Sequence, residues 1–179
     1  MRRTLTPAVA AALLFSASAA LAATPGIRNI GNKRSELRLP VLFASQVAAA
    51  REGTGVPLLL PEKMTVDVAL REPSISGDIK PDRYDLELGA TRSCGGANAC
   101  FIAAFIAQKG GKLSAPANVR LRNGVIGRYS PFKCGASCGP SMIEWRLNGA
   151  IYTIQVKGVA GSRPSMITLA NSALKAGRR

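Results

Sequence analysis

The side chains in this chain best suited to chemistry are four cysteines in two tight pairs, Cys94-x5-Cys100 and Cys134-x3-Cys138. Paired cysteines serve metal binding, thiol exchange or disulfide formation. Zinc ribbons use closer Cys-x2-Cys pairs to hold one tetrahedral ion. Thiol oxidoreductases place Cys-x-x-Cys at a helix N-terminus, which lowers the thiolate pKa. Neither spacing nor context matches here, so the pairs read as disulfides of an oxidising compartment. Four cysteines allow three connectivities. In a chain-entropy account a local bridge contributes about 2 kcal/mol and a bridge spanning the interval between the pairs about 4 kcal/mol. Entropy therefore favours crossed bridges. Proximity favours Cys94 with Cys100 and Cys134 with Cys138, because short loops meet first and need no docking of the two turns. Local pairing is the expectation and crossed pairing the alternative.

The chain contains no histidine, which removes the usual general base and every Ser-His-Asp or Cys-His arrangement. Carboxylate chemistry remains open at Asp85 and Glu87, two acids at i and i+2 on one face of a strand pattern. Simple alternation explains them equally well. Glu144 falls on the polar side of another strand and reads as a surface residue. No phosphate-cradling Gly-x4-Gly-Lys loop is present. These absences favour a non-enzymatic protein without a cofactor or metal site.

The elements around the cysteines are β-rich. Ser141 to Lys157 holds Asn148-Gly149 between two alternating runs, and Asn-Gly is the preferred pair for a two-residue turn needing positive φ at both positions. Pairing Leu147 with Ala150 sets Trp145 opposite Tyr152, Ile143 opposite Ile154 and Ser141 opposite Val156 on one face. A one-residue slip would put Trp145 in water, so the register is strongly specified. Asn123-Gly124 suggests a second, weaker hairpin with Arg120 and Arg122 on one face. Tyr84 to Thr91 alternates as a strand, as do Val66, Val68 and Leu70, while Phe101 to Ala107 is apolar on both parities, as in a strand covered on both faces. Pro40 to Ala50 suits a short helix ending near Gly53. Val56 to Pro61 is apolar but bracketed by prolines, and reads as a buried extended segment. Ser162-Arg163-Pro164 opens an amphipathic helix that closes at Gly177. Both cysteine pairs fall in turns. The expected fold is α+β, an antiparallel sheet of five or six strands with a short N-terminal helix and a C-terminal amphipathic helix.

Residues 1–22 carry Arg2 and Arg3, an apolar stretch from Ala8 to Phe15 and the small-residue exit Ala20-Leu21-Ala22, the three parts of a secretory signal. Cleavage after Ala22 is expected. Residues 23–35 follow as a flexible polar lead-in, and residues 36–177 as one disulfide-stapled domain. The apolar stretch is short of the roughly 20 residues that cross a bilayer core, so the mature chain is expected to lack a transmembrane segment and to be periplasmic or secreted. Loss of Arg2 and Arg3 lowers the net charge from +14 to +12. Such a balance attracts anionic envelope polymers or acidic proteins, with affinity that falls as salt rises. The candidate anion-binding residues are Arg120, Arg122 and Arg128 near the second hairpin and Lys175, Arg178 and Arg179 at the C-terminus. Lys33, Arg34 and Arg38 form a further concentration near the start. Aromatic residues are few and assigned to the core, so no dedicated nucleic-acid site is evident.

Six motifs run in order along the chain: Gly55-Val56-Pro57-Leu58-Leu59-Leu60-Pro61, Tyr84-Asp85-Leu86-Glu87-Leu88, Cys94-Gly95-Gly96-Ala97-Asn98-Ala99-Cys100, Leu121-Arg122-Asn123-Gly124, Cys134-Gly135-Ala136-Ser137-Cys138 and Trp145-Arg146-Leu147-Asn148-Gly149-Ala150-Ile151-Tyr152. Together they resemble a group of exported cyanobacterial and proteobacterial proteins of unknown function. The Trp-x-x-x-Gly-x-x-Tyr hairpin with its Ala-rich C-terminal helix is also similar to a domain of unknown function on anti-sigma-factor-like membrane proteins. The first resemblance spans most of the mature chain and the second its last third. Neither implies an activity, ligand or catalytic residue. Three functions follow as expectations: an exported envelope binding or accessory module with an anionic partner, a carboxylate-dependent envelope hydrolase, or an inhibitor or regulator of another envelope protein that uses the disulfide turns as contact loops.

Overall fold

The structure, a computed structural model, describes residues 24–31, 33–94, 98–135 and 138–177. The expected signal segment and the candidates Arg178 and Arg179 lie outside the described residues. A seven-stranded antiparallel sheet organises the fold, in the order β4-β5-β6-β12-β11-β8-β7. Its strands are β4 (Ser74–Lys80), β5 (Arg83–Gly89), β6 (Phe101–Lys109), β7 (Val119–Arg120), β8 (Ile126–Ser130), β11 (Ser141–Leu147) and β12 (Ala150–Val156). A three-stranded sheet joins β1 (Ile27–Asn29), β2 (Ser35–Arg38) and β3 (Lys63–Val66), and β9 (Lys133–Cys134) pairs with β10 (Cys138–Gly139). Helices α1 (Leu39–Leu42), α2 (Ala44–Gly53) and α3 (Arg163–Ala176) complete it.

The hairpin at Asn148-Gly149 forms with the expected register. Leu147 pairs with Ala150, Trp145 with Tyr152, Ile143 with Ile154 and Ser141 with Val156. Asn148 and Gly149 take φ of 50° and 77°, the left-handed pair that matches the twist of the flanking strands. The Trp145 and Tyr152 rings stack with centroids 5.6 Å apart. Both are buried on the inner face of the sheet with Tyr84, Leu86, Phe105 and Ile154. The small sheet, the helices and residues 56–61 supply the opposing core residues, among them Leu37, Phe43, Leu60 and Met166. Segment 56–61 is buried, and two tyrosines hold its backbone. The Leu59 N–H donates to the Tyr84 hydroxyl at 3.2 Å, and the Tyr152 hydroxyl donates to the Pro57 carbonyl at 3.2 Å. Burial pushes the Tyr84 phenol far above its ordinary pKa, so it stays a neutral hydrogen-bonding group.

Several sequence expectations change. The main sheet has seven strands, more than five or six, because β4 and β7 are edges with little apolar signal. β4 turns only Ile75, Gly77 and Ile79 toward α2, and Gly77 lies directly beneath Gln46. The lead-in is not wholly irregular, since Ile27–Asn29 pairs with β2. The expected strand through Val66, Val68 and Leu70 sits earlier, at Lys63–Val66. Ser35 explains the shift: its buried hydroxyl lies 2.8 Å from the Val68 carbonyl and accepts the Leu70 N–H at 2.9 Å, doing what a strand ladder would otherwise do. The N-terminal helix splits at Phe43, whose ring enters the core edge-on to Phe105 at 5.9 Å. Asn123-Gly124 closes a wider turn than its counterpart, with Arg122 inside it and Leu121 N–H donating to the Val125 carbonyl at 2.8 Å. Helix α3 opens with Pro164 in its first turn and closes at Gly177, φ 70°, as its sequence signals require. No helix among the described residues is long and apolar enough to cross a membrane.

Candidate functional site

The cysteines pair locally. Cys94 bonds Cys100, with Cα atoms 5.7 Å apart, and Cys134 bonds Cys138, with Cα atoms 4.0 Å apart. The first bridge closes the turn from β5 to β6 and the second closes the β9–β10 ribbon before β11. Gly89 is required by the first bridge, because a Cβ there would lie 2.7 Å from Cys94 Sγ and 2.2 Å from Ser74 Oγ. Both turns stand at the same end of the large sheet, where the Lys157 ammonium donates to the Asn98 and Ala99 carbonyls at 2.7 and 3.0 Å. Between the turns opens a cleft of about 280 Å³ lined by Asn98, Ala99, Phe101, Phe132, Cys138, Pro140 and Lys157. Phe132 remains 46% exposed. Residues 95–97 and 136–137 of the two turns lie outside the described residues.

The basic candidates divide between two environments. Helix α3 runs along β7, tied at both ends of that strand. Arg163 donates to the Asn118 carbonyl at 2.5 Å, and the Arg122 N–H donates to Asn171 Oδ1 at 2.7 Å. Lys175 stands one turn beyond Asn171. Arg120, Arg122, Arg163 and Lys175 therefore share one rim, all exposed, and none belongs to an ion pair among the described residues. Arg128 does not join them. Its Nη1 donates to the Pro116 carbonyl at 3.2 Å, and its Nε is buried without a hydrogen-bond partner among the described residues.

Arg128 instead helps hold a strap. To pass from β6 to β7, residues 110–118 must cross β12, β11 and β8, and they do so on the outer face of the sheet. Gly111 lies against Ile151, the backbone and hydroxyl of Ser114 donate to Glu144 Oε2, and Asn118 exchanges hydrogen bonds with the Tyr129 backbone. The strap corrects the reading of Glu144 as a surface residue: its side chain is covered and 8% exposed. Strand alternation placed it on the outer face correctly, but alternation carries no information about a distant loop crossing that face.

Asp85 and Glu87 project from the outer face of β5 and line none of the three clefts described in this structure. Asp78 is the cross-strand partner of Asp85. Burial, with the Glu87 and Asp78 charges, raises the Asp85 pKa, against the pull of Arg83. Hydrogen bonds from Arg83 and Lys80 lower that of Asp78. Two Ser-x-x-Lys spacings occur, Ser130 to Lys133 and Ser172 to Lys175. The second is structural, since Ser172 Oγ accepts the Glu62 N–H at 3.1 Å while Lys175 faces outward. Among the described residues no cluster of His, Cys, Asp or Glu could hold a metal ion.

A third basic group lines an open cleft of about 510 Å³ on the small sheet, where Arg28, Arg38 and Lys63 meet Glu36 and Glu62. Lys63 pairs with Glu36 at 3.2 Å. Arg34, grouped with Arg38 in the sequence, pairs elsewhere with Asp67 at 3.0 Å. Arg163, Lys157 and Phe132 were missed by sequence reasoning. One signal was available: nine of the ten acids fall between Glu36 and Glu87, while thirteen of the twenty-four lysines and arginines follow Glu87. The remaining acid is Glu144, which the strap occupies. No family model matches the chain, and no curated protein or solved structure is significantly similar to it.

Proposed function

We propose that this protein is an exported, non-enzymatic binding module of the bacterial envelope that engages an anionic polymer or acidic protein through the β7–α3 rim. The charge partition carries this reading: Arg120, Arg122, Arg163 and Lys175 line one rim with no ion-pair partner among the described residues, and the nearest acid in sequence is spent inside the strap. Exposed, unneutralised cations concentrate polyanions by counterion release, a force that falls as salt rises. The two disulfides accord with an oxidising compartment.

The test is retention of the mature protein on immobilised dextran sulfate at low and high salt, beside a size-matched basic control. Tighter binding than the control, lost at high salt and weakened by the triple variant Arg120→Glu/Arg122→Glu/Lys175→Glu, supports the reading. Binding equal to the control, or insensitive to salt, removes it. The hydrolase alternative is less well supported, because Asp85 and Glu87 line none of the three clefts described above. The inhibitor or regulator reading gains one observation, the convergence of both disulfide turns on one cleft.

A further inference from the structure

We infer that the cleft between the two disulfide-closed turns is a docking site for the C-terminal residue of a partner polypeptide, an aromatic or branched residue bearing a free carboxylate. The site is separate from the basic rim. Three features of the cleft specify that occupant.

The walls are apolar and aromatic. Phe101 and Phe132 face the space with Pro140 and the Cys138 half of a disulfide, and no acid lines it. Phe132 leaves nearly half its surface in water, which is costly for an aromatic ring and typical of interface anchors. Val159, 71% exposed, follows Lys157 by two residues at the same end of the sheet. The volume, about 280 Å³, lies just below the range of about 300–1,000 Å³ usual for small-ligand pockets, which suits one side chain and a chain end better than a bulky cofactor.

The floor is cationic and keeps capacity. An ammonium has three donors, and Lys157 uses two on the Asn98 and Ala99 carbonyls. Those carbonyls are neutral, so the full formal charge and one donor remain for a carboxylate. Among the described residues Lys157 is the only side chain donating to either carbonyl, which leaves each a lone pair for the N–H of an incoming peptide, a donor that a fatty acid lacks. Capture of a terminal carboxylate beside an apolar pocket is a recurrent mode of peptide recognition.

The frame is covalent. A disulfide anchors each flank at its cysteines, and a cross-linked flank loses less freedom on binding.

The probe is N-acetyl-Gly-Gly-Phe with a free C-terminal carboxylate, titrated calorimetrically into the oxidised protein, beside its C-terminal amide and an Ala-ended acid. The Phe acid is expected to bind about tenfold more tightly than either comparator, the scale of one charge-assisted contact or one buried ring. Phe132→Ser lowers that affinity about tenfold without moving the thermal midpoint, since the ring is half exposed. Lys157→Gln removes the preference for acid over amide. Equal binding of acid and amide, or undiminished binding by Phe132→Ser, overturns the proposal. Saturation by laurate with no peptide binding also overturns it, in favour of a lipid acid. Arg120→Glu with Lys175→Glu leaves peptide binding unchanged, which separates this site from the rim; a loss there as large as that of Phe132→Ser counts against it.

Discussion

At the β4–β5 edge of the large sheet, Asp78 is held by Arg83 at 2.9 Å and Lys80 at 3.3 Å, while Asp85 and Glu87 share its face. At the opposite edge Arg120, Arg122, Arg163 and Lys175 stand along β7 and α3 with no such partners among the described residues, and the one acid of that half, Glu144, is turned to the strap. The first edge neutralises itself with short-range pairs between neighbouring strands. The second leaves its charge for something outside the molecule. The difference lies in where the ten acids fall along the chain, since one sheet draws its two halves from two stretches of sequence.

Each half also carries one covalent turn, Cys94 to Cys100 beside the acidic edge and Cys134 to Cys138 beside the basic one. Reducing both is the largest perturbation expected, about 2 kcal/mol per bridge in a chain-entropy account. Denaturant titration with and without reductant measures it. Hydrogen exchange should show both turns loosened while the Trp145 to Tyr152 hairpin stays protected, since its register rests on the Asn-Gly turn and the stacked rings.

The next effect separates the acids of the two halves. Glu144→Ala removes the acceptor shared by the Ser114 N–H and hydroxyl, a part-buried contact that pins the strap, and should cost about 1 kcal/mol. Exchange and proteolysis should rise across residues 110–118. Glu87→Ala, on the open edge, should stay within about 0.5 kcal/mol by the same denaturant measurement. Equal costs at the two sites would break the contrast.

Rim reversal by Arg120→Glu, Arg122→Glu and Lys175→Glu should weaken dextran sulfate binding about tenfold at low salt and flatten its salt dependence, because fewer counterions are released. Reversing Lys80 and Arg83 on the acidic edge should change neither quantity. Affinity measured across a salt series distinguishes the two sets.

The smallest effect belongs to Asp85. Its pKa is raised in the folded state, chiefly by burial and then by Glu87 and Asp78. Ionised Asp85 therefore opposes folding at neutral pH, and the opposition fades as pH falls through the raised value toward the ordinary 3.8. Asp85→Asn should raise the thermal midpoint slightly at neutral pH, with no gain at acid pH. Asp78 has the opposite sign: the stability it lends is present above 3.8 and is lost as pH falls through its lowered folded value. Thermal melts of Asp85→Asn and Asp78→Asn from neutral to acid pH check both directions.

Much of the fold was legible in the residues because its signals are local. Asn148-Gly149 with its flanking alternation specified both register and face, and Pro164 and Gly177 marked the ends of α3. The doubly apolar run from Phe101 announced a strand covered on both sides, and Ile102, Ala103, Ala104 and Phe105 are all buried. Local pairing of the cysteines followed from the same kind of reasoning over short loops. Elements with weak local signal escaped: β4 has two isoleucines and a glycine on its inner face, and the ladder expected to run on to Leu70 gives way to a serine hydroxyl reached from thirty-five residues away.

The candidate sites show the same division. Composition and charge order along the chain established a histidine-free, strongly basic protein whose acids crowd into one stretch, since those properties need no folding. Which cations are left unpaired, why Glu144 is not a surface acid and how two disulfide turns come to flank one cleft were settled by the sheet order β4-β5-β6-β12-β11-β8-β7. That order carries the chain from β6 across three strands before β7, laying the strap over Glu144 on the way, and it sets turns from different parts of the chain at one end of the sheet. Contacts of that range depend on how the whole chain packs, and local residue patterns encode them only weakly.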